Sequence, residues 1–172
     1  QAAFDDWIDR WGLDLEGPAL SWPEVFGRDG DVVLDIGFGH GESTIRLAAD
    51  QRELDVIAVE VHTPGVATVL DAIEHQELHH LRVVHGNVLP FLDRIPAASL
   101  AVVRIFFPDP WPKARTRHRR LVGGDVVAAL TGGRRTSDLE ALGIVETTTV
   151  ASTIGAADAG VKGAEVVLLE IR

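Results

Sequence analysis

Apolar positions in this chain fall into two alternating periods. Phe4, Trp7, Ile8 and Trp11 recur at i, i+3, i+4 and i+7, which predicts a short helix with one apolar face. Core packing accounts for that stripe more simply than ligand stacking by Trp7 or Trp11. Residues 12 to 30 carry Gly12, Gly17, Pro18, Pro23, Gly27 and Gly30 and read as a loop-rich lead-in. From Val32 onward the pattern changes to short, β-branched runs. Val32 to Ile36, Asp55 to Val59, Leu81 to Val84 and Leu100 to Phe107 predict four strands. Between them, Glu42 to Ala49, Pro64 to about Glu77 and Val88 to Ile95 predict helices. Pro64 falls in a tolerated first turn, and Pro90 interrupts the last helix. Strands that alternate with helices are joined by right-handed crossovers, so the expectation is an α/β fold with a doubly wound, mostly parallel sheet.

Each predicted strand ends on a polar group. The first runs into Gly37, Gly39 and Gly41, a turn able to bring backbone N–H groups close to a ligand. The spacing is GxGxG, which is neither the GxGxxG dinucleotide fingerprint nor a phosphate loop with GK[ST]. Glu60 ends the second strand about 20 residues past that turn, where open α/β folds place a carboxylate for ribose hydroxyls. Asn87 ends the third, within reach of an adenine edge. Asp109 follows the fourth, on a turn stiffened by Pro108, Pro110 and Pro112. All four are expected at one rim of one sheet.

Composition adds limits. The chain has 172 residues, enough for one domain with a sizeable core, and 46% are apolar. It has no cysteine, which excludes disulfides and thiolate metal sites. No apolar run suits a membrane span and no signal peptide opens the chain, so a cytoplasmic location is expected. His75 and His79 share a helix face, but no further ligand completes a zinc site, and no metal is expected.

Net charge is −10, yet residues 113 to 135 carry a local +6 and leave −16 elsewhere. Lys113, Arg115, Arg117, Arg119 and Arg120 fall within eight positions, with His118 among them. Electrostatic attraction to phosphate is felt over about 8–10 Å, so a dense patch outweighs the total. An acidic body with one basic edge is suited to meeting an RNA in one orientation.

A glycine turn of this spacing after an apolar strand is the pattern of S-adenosylmethionine-dependent methyltransferases. The stretches VVLDIGFGHGES, IAVEVHTPGV and VVRIFFPDPWPKARTRHRRLV resemble the tRNA (guanine-N7) methyltransferase family over about residues 1–130. The resemblance implies a Rossmann-like class I methyltransferase domain with S-adenosyl-L-methionine as cofactor and tRNA as substrate. It implies that Asp35, Gly37, Gly39, Gly41, Glu60, Asn87 and Asp109 hold the cofactor, with Asp109 also the catalytic position. It implies that Lys113, Arg115, Arg117, His118, Arg119 and Arg120 contact substrate RNA. Asp35 stands where the family usually has Glu, and Asn87 where Asp is common.

Beyond about residue 130 the resemblance stops, and the family's later guanosine-binding segments have no counterpart. Residues 131–140 read as a polar, glycine-rich junction. ALGIVET, AADAGVKGA and VVLLEIR, within residues 141–172, resemble the opening β-α-β of a bacterial microcompartment shell protein. That atypical tail either completes the sheet or is a partial shell-like segment. The alternative function is therefore a shell or scaffold protein with an inactive front. A monomer or homodimer is expected of the enzyme, and a higher oligomer of the scaffold.

Overall fold

In the computed structural model, residues 2–106 are described. Their elements run α1 (Ala2–Trp11), α2 (Trp22–Phe26), β1 (Val32–Ile36), α3 (Glu42–Asp50), β2 (Asp55–Glu60), α4 (Thr63–His75), β3 (Leu81–His85), α5 (Val88–Leu92) and β4 (Val102–Ile105). The four strands form one sheet in the order β3-β2-β1-β4, with every pairing parallel. The order runs outward from β1 to β3 and then reverses to β4, as expected of a doubly wound sheet. The predicted strands end close to their observed bounds, although β4 is shorter than expected and α5 stops at Leu92.

Burial explains the composition of the strands. β1 and β2 are buried at every position, so both faces must be apolar, and neither shows the alternation of a half-exposed strand. On one face Val33, Val56, Ala58, Leu81 and Val83 pack with Ala48 of α3 and Val66, Val69, Leu70 and Ile73 of α4. The aromatic stripe of α1 packs partly buried against the same cluster. Glu74 fastens α1 to α4, accepting from Arg10 Nη1 at 2.5 Å and Trp11 Nε1 at 2.7 Å.

The outer edge of β3 is covered by a segment outside any predicted strand. Gly12 bridges Val83 in parallel and Leu13 N–H donates to Val83 O at 2.8 Å, so the chain leaving α1 covers the outer edge of β3. Within the loop-rich lead-in sits a five-residue helix, α2. Pro23 occupies its first turn, and Gly27 closes it in the left-handed region with N–H to Pro23 O. Trp22 anchors it through Nε1 to Ser99 O at 3.1 Å. Arg82 reaches across from β3 to donate to Val25 O at 3.0 Å.

The carboxylate at the N-terminal end of β2 is sealed. Asp55 is fully buried and accepts from Arg28 Nε at 2.9 Å. Nearby His80 Nε2 bonds Ala48 O at 2.8 Å and is therefore the donor. Among the described residues no helix is long and apolar enough to cross a membrane. Residues 131–140, the tail from 141 to 172 and the end of the fourth predicted strand at Phe107 lie outside the described residues.

Burial lowers the pKa of His80 from its ordinary 6.5, aided by the charges of Arg28 and Arg52 and opposed by Ala48 O and Asp55. The unfolded chain then binds more protons, so this contribution to stability is present above 6.5 and lost as pH falls through the folded value. Melting temperature should drop between about pH 7.5 and about pH 5.5, and His80→Gln should shrink that drop. An identical pH dependence in the variant would show that His80 is not the group responsible.

Candidate functional site

Parallel strands bring all their C-terminal ends to one rim. The crevice expected of such sheets opens where strand order reverses, between β1 and β4. The chain leaves β1 there through Gly37, Gly39 and Gly41, at φ of 74°, 62° and 89°. A side chain in that left-handed region costs about 1–2 kcal/mol per residue, which is why the turn is built on glycine. Gly37 N–H donates to Val59 O at 2.8 Å and ties the turn to the end of β2. Gly41 is the N-cap of α3 and supplies no side-chain acceptor.

Glu60 is the hub of the rim. Its Oε2 accepts from Gly39 N–H at 2.7 Å, while Oε1 accepts from Val61 N–H at 2.7 Å and His62 N–H at 2.9 Å. One buried carboxylate thus binds the glycine turn, the end of β2 and the entry to α4. A carboxylate has about four lone-pair sites, so about one remains for a ligand hydroxyl. The other side of the turn rests on Gly65 in the first turn of α4. A Cβ there would overlap Gly39 O, and a Cβ at Gly41 would overlap Val69. Gly65 falls within the stretch IAVEVHTPGV, whose pattern assigns it no site role. Its signal was a glycine inside a helix, where it costs about 1 kcal/mol without a packing reason.

Asn87 caps α5 by accepting from Leu89 N–H at 3.0 Å through Oδ1. One lone pair of the acceptor goes to the cap, and the amide NH2 can also meet a ligand. Among the described residues the exposed large apolar side chains are Val61 and Leu89. Val61 follows Glu60 and Leu89 lies two residues past Asn87, so both belong to this rim. His40 and His62 meet edge to face at 5.6 Å beside the turn, and Thr63 Oγ1 lies 3.2 Å from His85 Nε2.

Asp35 sits one layer below. It is 1% exposed, and its Oδ2 accepts from Thr44 Oγ1 at 2.7 Å and lies 3.5 Å from Arg104 Nη1. The helix face expected to carry both His75 and His79 does not form, because α4 ends at His75. His75 bonds Asp71 O, and His79 stacks on Trp11 at 5.0 Å. The glycine turn, Glu60 and Asn87 are therefore brought together at one rim, with Asp35 beneath. Asp109, Lys113, Arg115, Arg117, His118, Arg119 and Arg120 lie outside the described residues.

A family model described as "Putative methyltransferase" matches residues 29–149, and a BMC domain model matches residues 141–172. A tRNA (guanine-N(7)-)-methyltransferase of Streptomyces avermitilis is 45% identical over 114 residues, which are 66% of this chain and 39% of that protein. The protein of the same name from Nitrosomonas eutropha is 40% identical over 129 residues, 74% of this chain and 58% of that one. That from Mycolicibacterium paratuberculosis is 48% identical over 128 residues, 67% and 49%. The chain spans about half the length of these curated relatives. Among solved structures, a coclaurine N-methyltransferase overlaps 50% of this chain and 21% of that chain, at 21% identity and a TM-score of 0.32. The resemblances read from VVLDIGFGHGES onward and from the tail both recur in these matches. With residues 29–149 matched, the chain belongs to the family described as "Putative methyltransferase".

Proposed function

We propose that this chain transfers a methyl group from S-adenosyl-L-methionine to N7 of a guanine in tRNA. The observation that carries the reading is the Glu60 carboxylate holding Gly39 at the sheet's switch point, beside a rim of exposed apolar and polar groups. The residues fit the cofactor. The glycine turn offers close backbone approach, Glu60 an acceptor for ribose hydroxyls, and Asn87 a donor for the adenine edge. Val61 and Leu89 supply apolar surface of the kind an aromatic base covers.

When bound, the cofactor supplies an electrophilic methyl on a sulfonium. Guanine N7 carries an exposed lone pair, so the protein need not remove a proton. The bound cofactor would supply that methyl to N7, its sulfur keeping the bonding pair and the guanine taking the positive charge. What remains for the chain is positioning and electrostatics. Asp109, four residues past β4 in the sequence, orients the acceptor or the donor. Lys113 contacts the substrate, and Arg115, Arg117, His118, Arg119 and Arg120 hold the phosphate backbone. The curated relatives bearing this activity in their names support the reading.

A second reading is favoured by the BMC match alone: residues 141–172 assemble as part of a shell or scaffold. Light scattering separates the two. A monomer or dimer supports the enzyme, and a trimer or hexamer that tiles supports the scaffold.

Calorimetry with S-adenosylhomocysteine tests the cofactor site. The unaltered chain should bind, while Glu60→Ala and Gly65→Ala should each lose at least about tenfold in affinity, since each releases the glycine turn. Binding unchanged in both variants would refute the site. Asp109→Ala should cut turnover far more than tRNA binding. Arg115→Ala should weaken tRNA binding and lessen its salt dependence by about 0.7–0.9 in log–log slope if one phosphate contact is lost. The reverse pattern would exchange the two roles.

A further inference from the structure

We propose that Arg104 and Asp35 form a buried brace that holds the first turn of α3, and through it the glycine turn, in the arrangement that receives the cofactor. Arg104 is then a positioning residue that touches no reacting atom. The inference rests on the cofactor reading above and adds to it a residue from outside the rim.

The two residues are partners in the β1–β4 register, so their side chains leave the sheet on the same face. Arg104 Nη1 lies 3.5 Å from Asp35 Oδ2, and the side chains are 8% and 2% exposed. Each also holds one hydroxyl of α3. Arg104 Nη2 donates to Ser43 Oγ at 2.7 Å, and Asp35 Oδ2 accepts from Thr44 Oγ1 at 2.7 Å. Ser43 and Thr44 belong to the first turn of a helix whose N-cap, Gly41, has no side chain to secure it. The start of α3 is therefore fixed from below and from the side. The segment leading into it, Gly37 to Gly41, contains three glycines at positive φ and is intrinsically soft. If α3 shifts, the backbone donors of that segment shift with it.

A buried ion pair gains little net stability, because desolvating both charges consumes most of their attraction. What such a pair supplies is a fixed geometry between the groups it joins. Arginine suits this task because its planar fork reaches a carboxylate and a hydroxyl together.

The test is calorimetry of the full chain with S-adenosylhomocysteine, well below the melting temperature of each variant. Asp35→Asn and Arg104→Gln should each raise Kd about tenfold, and the double variant by about the same factor, because both break one brace. Arg104→Lys should recover part of the loss. Ser43→Ala keeps both charges in place and cuts only the Arg104 link to α3, leaving Asp35 to Thr44, and it should raise Kd severalfold even if a single charge removal prevents folding. A lowered melting temperature with unchanged Kd in Ser43→Ala and the double variant would reduce the pair to a structural role and overturn the inference. So would a double variant whose Kd rises by the product of the single effects, which would place Asp35 independently against the cofactor. No heat from the unaltered chain would instead refute the cofactor reading itself.

Discussion

One carboxylate accepting three backbone N–H groups holds the rim together. Glu60 is buried, and an ionised carboxylate without partners would be strongly disfavoured there. Gly39, Val61 and His62 supply those partners. Hydrogen bonds to a charged group are worth about 1.5–3 kcal/mol each, enough to order a turn whose own glycines resist order. The Gly39 bond joins the turn after β1 to the end of β2 across 21 positions of sequence, and the Val61 and His62 bonds fix the short link from β2 into α4. The contact between Gly65 and Gly39 completes the hold from the other side, since only hydrogen atoms fit between those backbones.

β2 carries an acid at each end, and the two take partners of different kinds. Asp55 takes the Arg28 guanidinium, an ion pair that seals the N-terminal end of the sheet. Glu60 takes backbone amides that belong to the ligand-facing turn. A guanidinium at Glu60 would occupy the acceptor positions and block the crevice. Amides from the turn leave about one position open and make the carboxylate part of the loop's own geometry. The chemical distinction between a closed end and an open end of one strand lies in that choice of partner.

Much of the fold could be read from patterning. Strands buried on both faces announce themselves as apolar runs, and Val32–Ile36 and Asp55–Glu60 appear where the runs are. The rim positions were legible for a related reason: in a parallel sheet every strand's C-terminal residue lies at the same edge, so strand order alone groups Gly37, Glu60 and Asn87. α2 was harder, because its five residues give no periodicity and only Pro23 and Gly27 mark its ends. Gly65 and Arg104 stand in stretches that assign them no role, although each breaks its local pattern. Gly65 is a poor helix former inside a helix, and Arg104 is a charge inside an apolar strand. Such breaks point to a neighbour across space, and the local sequence does not say which.

Sequence by itself determined which segments become strands, where the flexible turn falls, and which polar groups terminate each strand, because these follow from backbone sterics and the periodicity of burial. Only the tertiary structure decided how those groups are spent. It turned Glu60 toward the Gly39 amide, and Asp35 toward Thr44 and Arg104. The physical reason is that a hydrogen bond forms with whatever donor the fold brings within about 3 Å, and that proximity is set by packing between segments far apart in the chain.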